Sequence, residues 1–278
     1  MIDYHIHTNH SIDAEGELEE YCKSALSIGL EEICFTNHCE LDPTRDDSYI
    51  CFNGRREKFT RRGLLRLQDE ILEQKHKNRN SGLSIKFGIE IGYYKGIEPR
   101  LHEIIDGVEL DFVLGSIHCL DHICIDSSRE HMIYFSKHSA HTMLVNYFQA
   151  VEDLVKSNLF NSVGHLDVYK KYGRAYYKDD IDEVIVESLQ RIYGLMVEQN
   201  IALEINTAGL RRIGQFYPSS MMVKYAREQG LDMITIGSDA HRVEDLGKDI
   251  AKGLEYAKSF GFDAVYRFNK KQPIRLKI

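Results

Sequence analysis

Asp3, His5 and His7 alternate near the start of the chain, within a segment of residues 2–7 whose pattern predicts a strand. Because side chains along a strand point to opposite faces in turn, we expect these three residues to share one face. Two imidazoles on one face at the end of a strand can chelate a borderline metal such as zinc or iron. On its own, the pair is equally compatible with two hydrogen-bonded histidines in a half-buried strand.

Residues that can bind a metal recur at the ends of the later predicted strands. In parallel α/β folds the carboxyl ends of the strands share one edge, and the loops that follow them form the active site. We therefore expect side chains that are far apart in sequence to meet in one pocket. In chain order, these strand-end residues are His38, Glu90, His118, His165, Asp239 and His241.

Short apolar runs alternate with longer amphipathic stretches over almost the whole chain. This alternation is typical of repeated β-then-α units around a parallel sheet, so it predicts an α/β fold. Residues 41–60 and 119–139 fit neither pattern, and we expect them to be long loops over the site. The predicted strands are residues 2–7, 32–36, 84–91, 111–117, 162–165, 202–206 and 233–237, and the predicted helices are residues 18–28, 63–77, 141–156, 181–199, 219–228 and 243–260.

The composition is that of a globular protein, with 43% hydrophobic and 28% charged residues among 278. This length suits one α/β barrel, so residues 1–278 are expected to form a single domain. A formal charge of -8 argues against nucleic acid as the ligand, since tracking phosphates needs a broad basic face. Six cysteines without a CxxC pair, no signal-peptide pattern and no apolar run long enough to span a membrane predict a cytoplasmic protein with reduced thiols.

The series of motifs resembles the polymerase and histidinol phosphatase (PHP) superfamily along essentially the whole chain. His5-Ile6-His7 matches the HxH motif of that family, Thr36-Asn37-His38 its [T][ND]H motif and Gly88-Ile89-Glu90 its GxE motif. The later motifs match at residues 115–118, 164–165 and 238–241. The resemblance implies a distorted TIM-like barrel of about seven βα units that binds two to three divalent metal ions, such as Zn, Fe or Mn.

The resemblance also implies which residues bind each ion. Asp13 is the one member of this set that does not follow a predicted strand, and it is also compatible with capping the start of a helix. The implied ligands are His5, His7, Glu90 and Asp239 for a first ion, Glu90, His118 and His165 for a second, and Asp13, His38 and His241 for a third.

Two further regions are similar to the histidinol-phosphate phosphatase branch of the superfamily. They are residues 204–212 (EINTAGLRR) with 217–219 (YPS), and residues 164–167 (GHLD) followed by a lysine pair. This similarity implies hydrolysis of L-histidinol phosphate to L-histidinol and phosphate, in histidine biosynthesis. Arginine can hold phosphate oxygens with two charge-assisted hydrogen bonds. The candidate contacts of a small phosphorylated substrate are Arg211, Arg212, Lys170 and Lys171, each of which is also compatible with a solvated basic loop.

The chemistry expected of this site is attack by a hydroxide held between two metal ions, because coordination lowers the pKa of water toward neutrality. Arg211 would hold the remaining phosphoryl oxygens in line. The leaving alkoxide needs a proton, for which Asp239, His241 and a water on the third ion remain alternatives. Asp3 and Asp167 are expected to orient ligand imidazoles through the second ring nitrogen.

Three other functions are weighed against this one. A PHP phosphoesterase that acts on another small ester, such as a nucleotide or sugar phosphate, would have the same metal site. A structural metal module is disfavoured, because a closed zinc site takes four ligands and this chain offers about nine. An amidohydrolase usually places a lysine at a strand end, and none of the predicted strands ends in lysine. The sequence indicates no surface for self-association, so the oligomeric state stays open.

Overall fold

Strands and helices alternate along the computed structural model, which describes residues 1–178, 181 and 185–278. The strands are β1 (Ile2–Ile6), β2 (Glu32–Phe35), β3 (His38–Glu40), β4 (Tyr49–Phe52), β5 (Arg55–Lys58), β6 (Ser84–Gly92), β7 (Phe112–Ser116), β8 (Cys119–Leu120), β9 (Ile123–Cys124), β10 (Ser162–Val163), β11 (Ala202–Asn206), β12 (Ile234–Gly237), β13 (Ala264–Asn269) and β14 (Gln272–Lys277). The α-helices are α1 (Leu18–Ser27), α2 (Arg61–Lys77), α3 (Glu98–Ile105), α4 (His131–Phe135), α5 (Ala140–Ser157), α6 (Lys170–Tyr177), α7 (Val186–Gln199), α8 (Ala208–Ile213), α9 (Ser220–Glu228) and α10 (Ile250–Ser259). None of the helices in the described part of the chain combines the length and the apolar character that a membrane span requires.

Seven parallel strands form a barrel in the order β1-β2-β6-β7-β10-β11-β12, and β3 also pairs with β6. The barrel nearly closes, since Ile6 and Ala240 form a parallel bridge just beyond β12 and the His7 N–H donates to the Ala240 carbonyl at 2.8 Å. Strands β1, β7 and β11 are buried along their whole length, as parallel strands covered by helices are. The carboxyl ends of the barrel strands therefore meet at one end of the barrel.

The α/β barrel expected from the sequence is confirmed, and all seven predicted barrel strands are present. Helices α1, α2, α5 and α9 correspond closely to predicted helices. The predicted helix 181–199 corresponds to α7, which begins at Val186, whereas residues 182–184 of that prediction lie outside the described residues.

The predicted helix 243–260 is wrong in its first turns. A 3-10 turn at Val243–Asp245 is separated from α10, which begins at Ile250. Gly247 and Asp249, between the two, have φ values of 66° and 61°, in the left-handed region that ends right-handed helices. The Gly247 N–H donates to Asp3 Oδ2 at 2.9 Å, so a tertiary contact replaces a helical hydrogen bond.

The two segments predicted as long loops contain short elements. Residues 41–60 include the β4–β5 hairpin, and residues 119–139 include the β8–β9 hairpin and α4. Their predicted position is confirmed, since Tyr49 and Cys124 line a cavity at the carboxyl end of the barrel. The short elements β3, α3, α6 and α8 were also missed, because so few residues show little periodicity.

An unpredicted hairpin, β13–β14, packs at the amino end of the barrel. The Tyr4 hydroxyl donates to Glu32 Oε1 at 2.5 Å and accepts from the Phe268 N–H at 2.9 Å. The rings of Tyr4, Phe112 and Phe268 pack together, with centroids 5.0 to 6.4 Å apart. This aromatic cluster fills the end of the barrel opposite the predicted site.

Candidate active site

Glu90, near the end of β6, lies at the centre of the strand-end residues and is fully buried. Its carboxylate is surrounded by imidazoles from the other strand ends. The ring nitrogens within 3.5 Å of a Glu90 oxygen belong to His5 (3.4 Å), His7 (3.5 Å), His38 (2.8 Å), His118 (3.2 Å) and His165 (2.9 Å). One carboxylate thus connects residues that are up to 85 positions away in sequence, from His5 to Glu90.

Asp239 completes the first predicted ligand group. Its Oδ1 atom lies 3.5 Å from His7 Nε2 and 3.7 Å from His5 Nε2. Asp239 has a φ of 52°, a left-handed conformation that residues other than glycine seldom adopt and that clusters at functional sites. The structure therefore brings His5, His7, Glu90 and Asp239 together, as the sequence analysis expected.

The second predicted group, Glu90, His118 and His165, is also brought together. One ligand atom from each residue lies within 4.8 Å of the ligand atoms of the other two. His118 follows β7 and His165 follows β10, so neighbouring barrel strands place both side chains beside Glu90.

The third predicted group forms around Asp13, in the loop after β1. Asp13 Oδ2 lies 3.6 Å from His38 Nε2 and 3.5 Å from His241 Nε2. The alternative that Asp13 caps a helix is wrong, since α1 begins at Leu18 and Glu17 is its cap residue. All three predicted groups are thus assembled at one end of the barrel.

Several buried atoms of this cluster have no hydrogen-bond partner among the described residues, although buried polar atoms are nearly always paired. They are His5 Nε2, His7 Nε2, His38 Nδ1 and Glu90 Oε2, the last two of which approach to 2.8 Å without the angle of a hydrogen bond. Imidazole nitrogens and carboxylate oxygens are the ligands that zinc, iron and manganese take in proteins. The donor set and its unpaired atoms therefore fit divalent metal ions.

Two carboxylates that the sequence analysis missed orient imidazoles of this cluster. Glu204 Oε1 lies 2.6 Å from His5 Nδ1, and Glu40 Oε1 lies 2.7 Å from His118 Nδ1. A carboxylate at the second ring nitrogen fixes the tautomer of a metal-binding histidine and leaves Nε2 free for the ion. Glu204 could have been found as a charged residue between the apolar residues Leu203 and Ile205 of a predicted strand. Glu40 carries no such signal, because β3 has only three residues.

Asp3 and Asp167 were predicted to have that orienting role, and this prediction is wrong. β1 contains one residue more than β2 between Asp3 and Ile6, which interrupts the alternation assumed for residues 3–7. The Asp3 carboxylate accepts from the Ser238 and Gly247 N–H groups at 2.8 and 2.9 Å. Asp167 accepts from the Ser219 N–H at 3.0 Å. Both aspartates therefore bind backbone N–H groups, in place of the histidine side chains that they were expected to orient.

The charged and titratable side chains of the cluster shift one another's pKa values. Burial acts to raise the pKa of Glu90, but the nearby imidazoles, first that of His5, outweigh it and hold this pKa well below its usual value. Burial and the neighbouring His38 and His241 hold the pKa of His7 well below its usual value. Burial acts to lower the pKa values of His5, His38 and His118, but the nearby carboxylates outweigh it and raise them. Glu90 and His7 are thus in the forms that bind metal ions, an anionic carboxylate and a neutral imidazole.

A cavity of about 490 Å³, here called the main cavity, opens over the cluster. Three of the four predicted phosphate contacts line it, namely Lys171, Arg211 and Arg212. Arg211 Nη2 donates to the Ser238 carbonyl at 2.7 Å, whereas Nη1 is buried without a hydrogen-bond partner in the described part of the chain. Arg211 therefore combines a fixed position with a free donor, which suits an anion.

Lys170, the fourth predicted contact, is buried and lies outside the lining of the main cavity. Its Nζ atom lies 3.2 Å from Asp167 Oδ2 and 3.1 Å from Ser219 Oγ. These contacts connect the start of α6 to the segment before α9. The structure thus gives Lys170 a supporting position, in place of the cavity position that the sequence analysis expected.

The predicted proton donors also lie at the main cavity. Asp239 and His241 both line it, and His241 Nδ1 lies 3.3 Å from Asp239 Oδ1. Tyr217 also lines it, and its buried hydroxyl has no hydrogen-bond partner among the described residues. Burial raises the pKa of Tyr217, so this hydroxyl stays protonated at neutral pH.

The chain is similar over nearly its whole length to bacterial histidinol-phosphatases. It is 28% identical to a probable histidinol-phosphatase of Deinococcus radiodurans, over 98% of this chain and 99% of that protein. It is 29% identical to a histidinol-phosphatase of Lactococcus lactis, over 96% of this chain and 94% of that protein.

The fold is similar to a crystal structure of histidinol phosphate phosphatase from Lactococcus lactis complexed with Zn, L-histidinol and phosphate. The TM-score is 0.79 with 26% sequence identity, and the alignment covers 98% of each chain. The sequence profile described as the PHP domain matches residues 3–208, a span that contains all but two of the candidate ligands. Because this match covers most of the chain and the barrel and strand-end residues agree with it, the protein belongs to the PHP domain family.

Proposed function

We propose that this protein is a metal-dependent phosphatase that hydrolyses L-histidinol phosphate to L-histidinol and phosphate, as a step of histidine biosynthesis. The observation that carries the proposal is the convergence of the candidate ligands on Glu90 directly below a cavity lined by Arg211, whose Nη1 has no hydrogen-bond partner among the described residues. The similarity to histidinol-phosphatases over nearly the whole chain supports the choice of substrate.

Two to three divalent ions would be held by the strand-end residues. When bound, such ions lower the pKa of water toward neutrality and offset the charge that builds on the phosphoryl oxygens. The zinc in the Lactococcus lactis structure supports zinc as one of them, and the nitrogen and oxygen donors here also suit iron and manganese. The residues assigned to the ions are His5, His7, Asp13, His38, Glu90, His118, His165, Asp239 and His241.

The other residues of the site bind and position the substrate. Arg211 is held by the Ser238 carbonyl and by Asp245, whose Oδ1 atom lies 3.5 Å from Arg211 Nε. The guanidinium at the wall of the main cavity is thus held in place, and its buried Nη1 has no hydrogen-bond partner among the described residues. A donor fixed in this way would stabilise charge that develops on a phosphoryl group. Lys171 and Arg212 add positive charge at the wall of the main cavity.

The departing alcohol needs a proton, for which Asp239 and His241 are the predicted donors. Both line the main cavity. The nearby imidazoles, first that of His5, outweigh burial and hold the pKa of Asp239 well below its usual value. In contrast, Asp13 and Asp239 outweigh burial and raise the pKa of His241 to about 9, so we assign the proton to His241.

The carboxylate of Asp126 also lines this cavity, and burial acts to raise its pKa, but the nearby Lys171 and other cations outweigh burial and lower it. An anionic group here matches a substrate that carries an ammonium as well as a phosphate.

The test is phosphate release from L-histidinol phosphate beside a panel of sugar phosphates and nucleoside monophosphates, with the metal content of the protein quantified. We expect a strong preference for L-histidinol phosphate that is lost on treatment with a chelator and restored by divalent metal. Preference for another ester would leave the phosphatase chemistry standing and overturn the substrate. Protein that binds no metal and releases no phosphate would overturn both.

A further inference from the structure

Cys119 and Cys124 face each other across the β8–β9 hairpin. The register pairs Cys119 with Cys124 and Leu120 with Ile123. The two-residue turn consists of Asp121 and His122, with φ values of 49° and 64°, as in the tight turns that join antiparallel strands. The two cysteines are therefore directly opposite neighbours on one face of a short ribbon.

This pair occupies a non-hydrogen-bonded position of the ribbon. The Ile125 N–H donates to the His118 carbonyl at 2.9 Å, so the neighbouring pair is the hydrogen-bonded one, and the two kinds of pair alternate. Opposite Cα atoms at non-hydrogen-bonded positions are about 4.5 Å apart. Disulfides span Cα separations of roughly 4.4 to 6.8 Å, a range that includes the spacing typical of such a pair.

These two thiols are also the accessible ones. Cys119 and Cys124 are half-buried, whereas the other four cysteines are buried. Both line the cavity at the carboxyl end of the barrel that Glu40 and His118 also border. The Cys124 thiol donates to Asp126 Oδ1 at 2.8 Å, and Asp126 in turn lines the main cavity. The thiol pair therefore touches the wall of the candidate active site.

We propose that Cys119 and Cys124 form a reversible dithiol–disulfide site, oxidised by small-molecule disulfides. One thiol, as its thiolate, attacks a sulfur of the oxidant, forms a mixed disulfide and releases one reduced thiol. The second cysteine thiolate attacks the mixed disulfide, the Cys119–Cys124 bond forms, and a second reduced thiol leaves. The two cysteine sulfurs are oxidised, the oxidant disulfide is reduced, and the two protons are carried by the two released thiols.

Oxidation changes one contact of the candidate active site. The Cys124 sulfur in a disulfide has no hydrogen, so Asp126 loses the thiol as a donor. Asp126 remains 3.7 Å from Lys171 Nζ, one of the predicted phosphate contacts. The disulfide form is therefore expected to bind and turn over substrate less well than the dithiol form.

The test equilibrates the metal-loaded protein with mixtures of oxidised and reduced glutathione, then alkylates the free thiols in denaturant and counts them by mass spectrometry. We expect the six thiols of the reduced chain to fall to four, with Cys119 and Cys124 the two that are protected and with no bound glutathione. Dithiothreitol should restore all six. Persistent glutathione adducts on these cysteines, or six free thiols at every ratio, would overturn the proposal.

Three variants sharpen this test. In Cys119→Ser and Cys124→Ser the remaining thiol has no partner to complete the exchange, so we expect a stable glutathione adduct in place of the internal bond. Cys51→Ser, at a buried cysteine, should oxidise as the unmodified chain does. If the single variants lose thiols without an adduct, a different pair forms the bond and the assignment is wrong.

The effect on the site is measured in the same samples as kcat/KM for a hydrolysed phosphate ester. We expect a fall of roughly threefold to tenfold on oxidation, the size associated with one hydrogen bond, and its reversal by dithiothreitol. An unchanged kcat/KM in fully oxidised protein would overturn the effect on the site. This measurement rests on the proposed function, whereas thiol counting does not, so the two failures are distinguishable.

Discussion

Glu204 and His5 are joined by a 2.6 Å contact between Oε1 and Nδ1, and both side chains are buried. The second oxygen of Glu204 accepts the His165 N–H at 2.7 Å. One carboxylate on β11 thus holds two candidate metal ligands that follow different strands. Glu204 is not among the residues that line the main cavity, so it acts as a positioning residue.

We expect Glu204→Gln to lower both metal affinity and turnover by about 10-fold to 100-fold, the range observed when partners of metal-binding histidines are lost. The amide cannot provide a charged acceptor for His5 Nδ1–H and so no longer fixes the ring with Nε2 toward the ion. Metal titration and initial rates measure the two effects. Glu198→Gln, exposed on α7, is the matched control. If metal affinity were unchanged in Glu204→Gln, Glu204 would not be needed to orient the His5 ring.

Gly237, at the end of β12, is required by the close approach of His5. A methyl group at this position would lie 2.3 Å from His5 Cβ and 2.7 Å from Glu204 Oε1. We expect Gly237→Ala to lower the free energy of unfolding by about 1–3 kcal/mol, as overpacking does, and to reduce bound metal. Denaturant unfolding and metal analysis measure both.

Gly194 on α7 is the matched control for this substitution, because a methyl group there would meet nothing within 4 Å. We expect Gly194→Ala to raise stability by about 0.4–1 kcal/mol, since alanine restricts the unfolded chain and favours the helix. If Gly237→Ala and Gly194→Ala changed stability and metal content alike, the close contact with His5 would not explain the effect of Gly237→Ala.

The strand-end residues could be predicted from the sequence because two local rules suffice for them. Apolar runs locate the strands, and parallel topology brings their carboxyl ends together. His118 and His165, for example, need only the ends of β7 and β10 to be placed correctly. The same rules fail where a residue depends on a partner from a distant element, as Glu40 does with His118.

Irregular backbone accounts for most of what the sequence analysis got wrong. The extra residue in β1 interrupts the alternation and turns Asp3 toward the N–H groups of Ser238 and Gly247. Lys170 follows a strand end like Lys171, but the turn into α6 directs it to Asp167. Apolar periodicity alone predicts neither a β-bulge nor the direction in which a side chain of the first helical turn points.

Arg211 is expected to matter more for substrate than its neighbour Arg212. Arg211 Nη2 is fixed by the Ser238 carbonyl, and its buried Nη1 has no hydrogen-bond partner in the part of the chain that the structure describes, whereas Arg212 is exposed. A lysine has a single nitrogen, which cannot occupy the positions of both Nη1 and Nη2. We expect Arg211→Lys to lower kcat/KM by about 10-fold to 100-fold, and Arg212→Lys to have a clearly smaller effect. If the two variants lowered kcat/KM equally, the positive charge of Arg211, and not the position of its donors, would account for its role.

Asp111, just before β7, ties the terminal hairpin to the barrel. Asp111 Oδ2 accepts from Lys75 Nζ at 2.9 Å and from the Phe87 N–H at 3.0 Å, and Oδ1 accepts from the Lys270 N–H at 3.2 Å. Burial acts to raise the pKa of Asp111, but these donors outweigh burial and lower it. The ionised carboxylate is therefore the form that stabilises the fold.

A carboxyl group whose pKa is lower in the folded than in the unfolded chain contributes stability above its unfolded pKa, about 3.9, and loses it as the pH falls through the folded value. We expect Asp111→Asn to reduce the free energy of unfolding by about 1–3 kcal/mol near pH 7, because the charged acceptor is gone. The difference from the unmodified chain should shrink as the pH is lowered below about 4. Denaturant unfolding at a series of pH values measures it, with Asp69→Asn on the exposed side of α2 as the control. A difference that stays constant with pH would mean that the carboxylate charge does not hold the hairpin.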